Sequence, residues 1–476
     1  MKTVYTAIIF VLLMTDCFGQ SFSYPTNATL RWKLPLAGAS FALPAVGPDG
    51  IIYVMQDAYP GPNLWAINPN GTTNWESTLY DGTVSVPVVG SDGNLYIFAT
   101  TNFGNFNLFA LNLADGSTNW FYVGDSASEG SDCLMPALDA DGTVYFCTSA
   151  GAIDAVTNGV LEWSALGDIG LADGSPVVGA DGTIYAFADD SPLQFYALNA
   201  DGSLKWSTNY PGVSFPAYPP AIAADGTIYF SGGQYFCAVN PADGSIEWEF
   251  SAANFAFNFE NPEVGPNGTI YIEAVSDSAN IATAYTNLLY ALAPNGTVEW
   301  TFPLPQYYSA HPPSFHESSC AIAADGEIYV TTTAGTVYSI APNGTMNWSF
   351  HTNSTGLHAP VIGPDGTVYV DSYDNANLFA FYGPAPVACS AWPQFNKNSR
   401  HVTAAATAYL SSLFMRTNGF QFNITGTSNQ PVCSCASSDL VNWTNIGRIV
   451  LTNGTASFVD AQSTNFPRRF YRALPQ

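Results

Sequence analysis

Pro176-Val177-Val178-Gly179-Ala180-Asp181-Gly182-Thr183-Ile184-Tyr185, then Phe195-Tyr196-Ala197-Leu198, then Asp201-Gly202-Ser203-Leu204-Lys205-Trp206, is the stretch whose reading decides the fold. A short apolar run opened by proline meets an Asp-Gly turn and continues into a second apolar run. Glycine after Asp supplies the positive φ that a tight hairpin needs, so residues 176–185 read as two antiparallel strands. The run around Ala197 is a third strand. A second Gly turn at Asp201-Gly202 delivers the chain to a fourth strand carrying Trp206, and the sum is a four-stranded meander.

The same unit recurs along the chain at a period of about 45 residues, the mark of propellers and solenoids. Tryptophan punctuates it at Trp32, Trp75, Trp120, Trp163, Trp206, Trp248, Trp300, Trp348 and Trp392, nine marks that enclose eight units. Tyrosine follows every first turn, at Tyr53, Tyr96, Tyr145, Tyr185, Tyr229, Tyr271, Tyr329 and Tyr369. A solitary four-stranded sheet with two apolar faces cannot stay in water, so the units are expected to stack radially as an eight-bladed propeller. A ring needs a clasp. Thr29 to Trp32 is a spare tryptophan strand with no hairpin before it, and it is expected to complete the last blade, with the Trp392 segment over the seam; the reverse assignment is the alternative.

Ala238-Val239-Asn240-Pro241-Ala242-Asp243-Gly244-Ser245-Ile246-Glu247-Trp248 and Ala110-Leu111-Asn112-Leu113-Ala114-Asp115-Gly116-Ser117-Thr118-Asn119-Trp120 resemble the tryptophan-docking repeat of the pyrroloquinoline quinone (PQQ) propeller superfamily. The resemblance runs from about Arg31 to His401, and it implies indoles wedged between blades with each ring N–H on a backbone acceptor. Trp392-Pro393-Gln394-Phe395 with Asn398 and His401 is similar to a closing element of secreted relatives.

The expected fold class is therefore all-β, with a signal peptide over residues 1–19, the propeller over 28–402 and a small β-sandwich-like module over 403–476. Lys2, the apolar run Val4 to Met14 and the small residues around Cys17-Phe18-Gly19 carry the secretory reading. A lipoprotein anchored through Cys17 is the alternative, against which Asp16 stands. No run is long and apolar enough for a transmembrane helix. In the tail, Phe420 to Thr425, Cys433 to Ser437 and Ala456 to Asp460 read as strands.

Charge separates these parts. The chain has 37 acidic and 11 basic residues, and all the acids but Asp16, Asp439 and Asp460 fall between Leu34 and Asn396, where Lys205 is the one basic residue. Such a surface repels phosphate backbones and anionic lipid, so nucleic acid and acidic membranes are excluded as partners. The tail reverses sign, with Arg416, Arg448, Arg468, Arg469 and Arg472. Of the cysteines, Cys133 and Cys147 flank one predicted hairpin; a disulfide and buried free thiols are both open readings.

Chemistry is expected on the loops that enter each innermost strand, since equivalent blades gather them at one mouth of the channel. His311, His316 and Glu317 fall on one such loop, His351 and His358 on the next. Imidazoles with a carboxylate make the four histidines candidates for a transition metal, against ordinary surface polar residues. Asp132, Asp173, Tyr218, Glu260, Glu317 and His358 are candidate ligand contacts, and converging acids would attract calcium; a solvated acidic rim is the plainer reading. Asp139 to Gly142 is read as a hairpin rather than a calcium loop, and the Asn-Gly-Thr tripeptides as turn geometry.

The resemblance implies that those members which are quinone-dependent dehydrogenases hold a tricarboxylate cofactor over the axis with basic residues, calcium, a catalytic aspartate and adjacent cysteines. This sequence has no adjacent cysteines and almost no positive charge in its blades, so PQQ is not expected and no cofactor is. The expectation is a monomeric, secreted or periplasmic propeller that binds a protein or a glycan. The alternative is an enzyme, a quinone-dependent oxidoreductase or a metal-assisted enzyme acting on polysaccharide.

Overall fold

The computed structural model describes residues 30–36, 38, 42–56, 62–79, 85–90, 92–100, 106–124, 135–139, 141–148, 151–167, 175–188, 193–210, 219–223, 225–232, 234–252, 255–256, 261–265, 267–276, 286–305, 319–373 and 376–383, then 408–416, 419–426, 431–437, 444–450, 455–460 and 470–475. The chain divides into two compact units, the blades and the C-terminal part. Among the described residues no helix is long and apolar enough to cross a membrane.

The first unit is an eight-bladed propeller of four-stranded antiparallel sheets. In blade 4, Val177–Val178, Ile184–Ala188, Leu193–Leu198 and Leu204–Tyr210 pair in that order. Blades 1, 2, 3, 5, 6 and 7 repeat it over 45–77, 88–123, 137–165, 221–250, 263–305 and 320–351, and in blade 6 Phe255–Ala256 adds a further pairing to Ile270–Ser276. First strands of neighbouring blades touch at six of the eight seams, including that of blades 8 and 1, so they are innermost and the ring is closed. Blade 8 is built from both ends of the repeat. Val361–Ile362, Val368–Ser372 and Asn377–Phe381 supply three strands, and Leu30–Pro35 from the start of the chain supplies the outermost, with Trp32 opposite Ala380. The spare tryptophan strand is the clasp; Trp392 lies outside the described residues.

The repeated residues have one geometric reason. In blade 4, Tyr185 pairs with Ala197 and Ala197 with Trp206, so the small residue sits between two large ones. Alanine leaves room for the tyrosine and indole rings to meet over it. The same pair recurs in all eight blades at centroid separations of 5.7 to 6.0 Å, with Ser339 in the alanine's place in blade 7. Each such contact adds about 0.5–1.5 kcal/mol beyond area burial.

A β-bulge aims the indole. Ala197 pairs with Trp206 but Leu198 with Leu204, which leaves Lys205 as the extra residue, and a shift recurs in the outermost pairing of every blade. The turn before the bulge then lies on the preceding blade's tryptophan. Gly202 has φ +81° and a Cβ there would stand 2.8 Å from the Trp163 ring, so backbone and packing both demand glycine. Trp32, Trp75, Trp163, Trp206, Trp248 and Trp300 donate their ring N–H to backbone oxygens of Pro69, Leu113, Ala200, Pro241, Pro294 and Pro342 at 2.9–3.0 Å. Trp120 has no such acceptor among the described residues. Blade 3 turns through Asn158-Gly159 alone, both at positive φ, and so omits the residue whose carbonyl accepts elsewhere.

The C-terminal unit consists of two three-stranded antiparallel sheets. One orders Ala408–Arg416, Gly419–Gly426 and Thr455–Asp460; the other orders Thr444–Val450, Pro431–Ser437 and Phe470–Pro475. Phe422 and Ile424 are buried, and Phe422 stacks on Phe458 at 5.5 Å. The three expected strands lie within this set, which holds three more.

Candidate functional site

The loop-bearing end of the ring is seen best between blades 7 and 8, where the whole connection 352–360 is described. It leaves Met346–His351 and folds back through Asn353 and Gly356, both at positive φ. Thr352 Oγ1 donates to Gly335 O, and Asn377 Nδ2 donates to Ser354 Oγ. A Cβ on Gly335 would meet Ser354 O at 1.8 Å, so the connection seats directly on the second hairpin of blade 7. Asn353 and Thr355 point outward while Thr352, Ser354, Leu357 and His358 are buried.

His358 is the one predicted ligand contact within the described residues. It is 3 % exposed, its Nδ1 lies 3.0 Å from Asp371 Oδ1, and Thr331 Oγ1 donates to its carbonyl. It is therefore an interior group of a loop that is pinned down by its own buried polar atoms. His351 ends the outermost strand of blade 7, exposed, with Nδ1 3.3 Å from Thr336 Oγ1. Asp132, Asp173, Tyr218, Glu260, His311, His316 and Glu317 lie outside the described residues. Among those described, no three His, Cys, Asp or Glu side chains group as metal ligands would. Asp139 to Gly142 is a hairpin turn, with Asp139 N–H donating to Thr143 O.

Asp371 belongs to a column that the sequence reading missed. Aligned on the repeated tyrosine, the residue two places later is Met55, Phe98, Cys147 and Phe187 in blades 1–4, and Ser231, Glu273, Thr331 and Asp371 in blades 5–8. All eight are buried. The position faces the next blade, since Phe98 meets Phe146 at 5.1 Å and Phe187 meets Phe230 at 4.9 Å. At this one position the first half of the ring is thus apolar and the second half polar, although the first half buries an acid elsewhere: Asp154 of blade 3 accepts from Tyr122 Oη of blade 2 at 3.3 Å. Counting from the tyrosines is the signal that would have found it.

Two more buried acids join the polar half. Glu263 stands on the innermost strand of blade 6, where the other blades carry Ala or Val, and accepts hydrogen bonds from Ser319 Oγ and, at 3.2 Å, Cys320 Sγ. Burial pushes its carboxyl up to about 8, opposed by those donors and reinforced by Glu273. Glu327, in the first turn of blade 7, accepts from Tyr329 Oη at 3.0 Å and Asn347 Nδ2 at 3.2 Å, and burial raises it too. Glu273 accepts from Asn287 Nδ2 at 2.6 Å.

This chemistry stores protons and fixes loops. It activates no described nucleophile. Cys147, Cys237 and Cys320 carry free buried thiols; burial pushes the first two up to about 12 and the third well up, so all stay protonated near neutral pH. Cys133, the other half of the disulfide reading, lies outside the described residues.

The described cations of the blades stand on outermost strands. Lys205 and Arg31 occupy the bulge position of outermost strands and reach back to the first turn of their own blades, on Asp181 and Thr183 and on Asp365 and Thr367. Lys33, also outermost, lies 5.2 Å over the Phe379 ring. Each described cation of the blades is thus held at the rim.

Residues 21–188 and 285–383 match the family described as outer membrane protein assembly factor BamB. No curated protein matches the chain. Among solved structures, BamB from Moraxella catarrhalis is 13% identical with a TM-score of 0.53, over 74% of this chain and 99% of that one. Quinohemoprotein alcohol dehydrogenase from Comamonas testosteroni is 15% identical with a TM-score of 0.54, over 82% and 79%. The computationally designed Ika8 protein is 11% identical with a TM-score of 0.54, over 73% and 98%. At these identities the structures share the fold alone.

Proposed function

This chain belongs to the family described as outer membrane protein assembly factor BamB, and from that membership we propose that it is an exported, non-catalytic propeller that binds a protein at its loop-bearing end. The connection 352–360 carries the reading: buried polar atoms hold it rigidly on blade 7 while Asn353 and Thr355 are presented outward. A loop held in one conformation loses little entropy on binding. Inert thiols and rim-bound cations support the non-catalytic part, and the N-terminal apolar run supports export to the periplasm or beyond.

Photo-crosslinkers placed at Thr355 and, as a control, in the outward turn at Asp243 test this in the producing cell. One recurrent protein adduct from Thr355 that excess purified propeller competes away, with none from Asp243, is expected. Equal adducts from both, or none, overturn the reading. Absorbance and metal analysis of the purified chain test the enzyme reading separately: a bound quinone or a stoichiometric transition metal would favour the oxidoreductase or the metal-assisted enzyme.

A further inference from the structure

The repeat is broken twice at one place. Seven blades open the innermost strand with proline, at Pro44, Pro87, Pro136, Pro176, Pro220, Pro262 and Pro360, and blade 7 has Cys320 there. The next position is Ala or Val in seven blades and Glu263 in blade 6. These two departures touch: the Cys320 thiol donates to Glu263 Oε2, and the backbone N–H that proline would lack also donates to Glu263. Ser319 Oγ donates to Glu263 Oε1. A carboxyl on one blade and three donors on the next, found together and at no other described seam, form a cross-seam fastening.

Its surroundings make the fastening depend on a proton. Within its own blade Glu263 faces Glu273 and pairs with Tyr271; from blade 7 it faces Ser319 and Cys320. Among the described residues none of these is a cation. Loss of the proton leaves a charge with no counter-ion among the described residues, beside a second acid, and the proton passes to solvent.

We propose that the seam between blades 6 and 7 is a proton-dependent latch, closed while Glu263 is neutral and loosened when it ionises. The latch is independent of which partner the loop-bearing end takes. Burial holds the Glu263 carboxyl at about 8 against an ordinary 4.5. A raised folded value means that its stabilisation is complete below 4.5 and is lost as pH climbs through 8. The latch therefore opens on the alkaline side.

Cys320 reports the seam, and Cys147 and Cys237, buried in blades 3 and 5, are controls in the same chain. Alkylation of the full chain between pH 6 and 9.5, read by peptide mass, is expected to show Cys320 gaining on both controls by on the order of tenfold across pH 8, beyond the common rise in thiolate. Glu263→Gln, which keeps an acceptor oxygen but cannot ionise, is expected to abolish that gain. Should this variant fold poorly, Glu263→Ala, the residue that blades 1, 3 and 5 use, is expected to flatten the fall in Tm from pH 5 to 8. Glu327 contributes to that fall in both proteins, so the difference isolates Glu263. Three thiols that keep constant relative rates, or a variant that tracks the parent's pH profile, would overturn the latch.

Discussion

Blades 1–4 and blades 5–8 are laid on one backbone and one set of tyrosine–tryptophan pairs, yet what they bury at one repeated position differs. Two places after the tyrosine the first half has Met55, Phe98, Cys147 and Phe187; the second has Ser231, Glu273, Thr331 and Asp371. The pairing register is the same in both, Phe187 with Phe195 and Asp371 with Leu378. The difference teaches that the aromatic pairs suffice to define a blade. The position beside them is free to serve packing in one half and polar fastening in the other.

The sharpest way to break that comparison is to move polarity across it. Phe187→Glu places a carboxyl where Phe195 stacks at 4.2 Å and Phe230 meets the ring edge-on. Removal of a buried phenylalanine costs about 3–5 kcal/mol, and an unpaired buried acid adds several more. Together these rival a typical domain stability of about 5–15 kcal/mol. The variant is expected to lose its cooperative unfolding transition in calorimetry. If it melts like the parent, the apolar half is not defined by its packing.

Removing polarity from the other half has the next largest effect. Asp371→Ala breaks the buried pair with His358 and is expected to cost about 3 kcal/mol in denaturant unfolding. His358→Leu with Asp371→Leu takes out both polar partners and is expected to recover much of that loss, because a buried polar pair repays little more than its own desolvation. Measured beside the single variants Asp371→Leu and His358→Leu, additive losses in the double-mutant cycle would mean that the two residues act separately.

How far the sequence reaches follows the same divide. Eight blades and the N-terminal clasp were legible, since glycine turns, tyrosines and tryptophans each answer one geometric demand and recur with it. The polar seams were not. Glu263, Glu273 and Asp371 lie in strands that otherwise read as apolar and Glu327 in a turn that the repeat explains by itself, and a search for chemistry among loop histidines passes over them. His358 was singled out, but as a loop residue that would contact a ligand or metal. What buries it is its contact with Asp371, thirteen residues on, and spacing along the chain does not reveal such a contact.

The finest distinction sits on the outer strands, where the halves are most alike. Trp300 in blade 6 donates to Pro342 O at 2.9 Å, whereas Trp120 in blade 2 has a buried N–H without an acceptor among the described residues. Phenylalanine keeps a ring over the repeated tyrosine and removes the donor. Trp300→Phe discards a made hydrogen bond and leaves the Pro342 carbonyl, at a rim turn, to water, for a loss of about 1 kcal/mol. Trp120→Phe discards an unmet donor, whose desolvation costs about 1–3 kcal/mol while it stays buried. Both lose the same benzo-ring packing, so the difference between them cancels it. Trp120→Phe is therefore expected to lower the urea midpoint less than Trp300→Phe does, by an amount equivalent to about 1 kcal/mol or more. Equal midpoints would show that the short Asn158-Gly159 turn leaves the indole N–H access to water, and that the seam between blades 2 and 3 is as well satisfied as the rest of the ring.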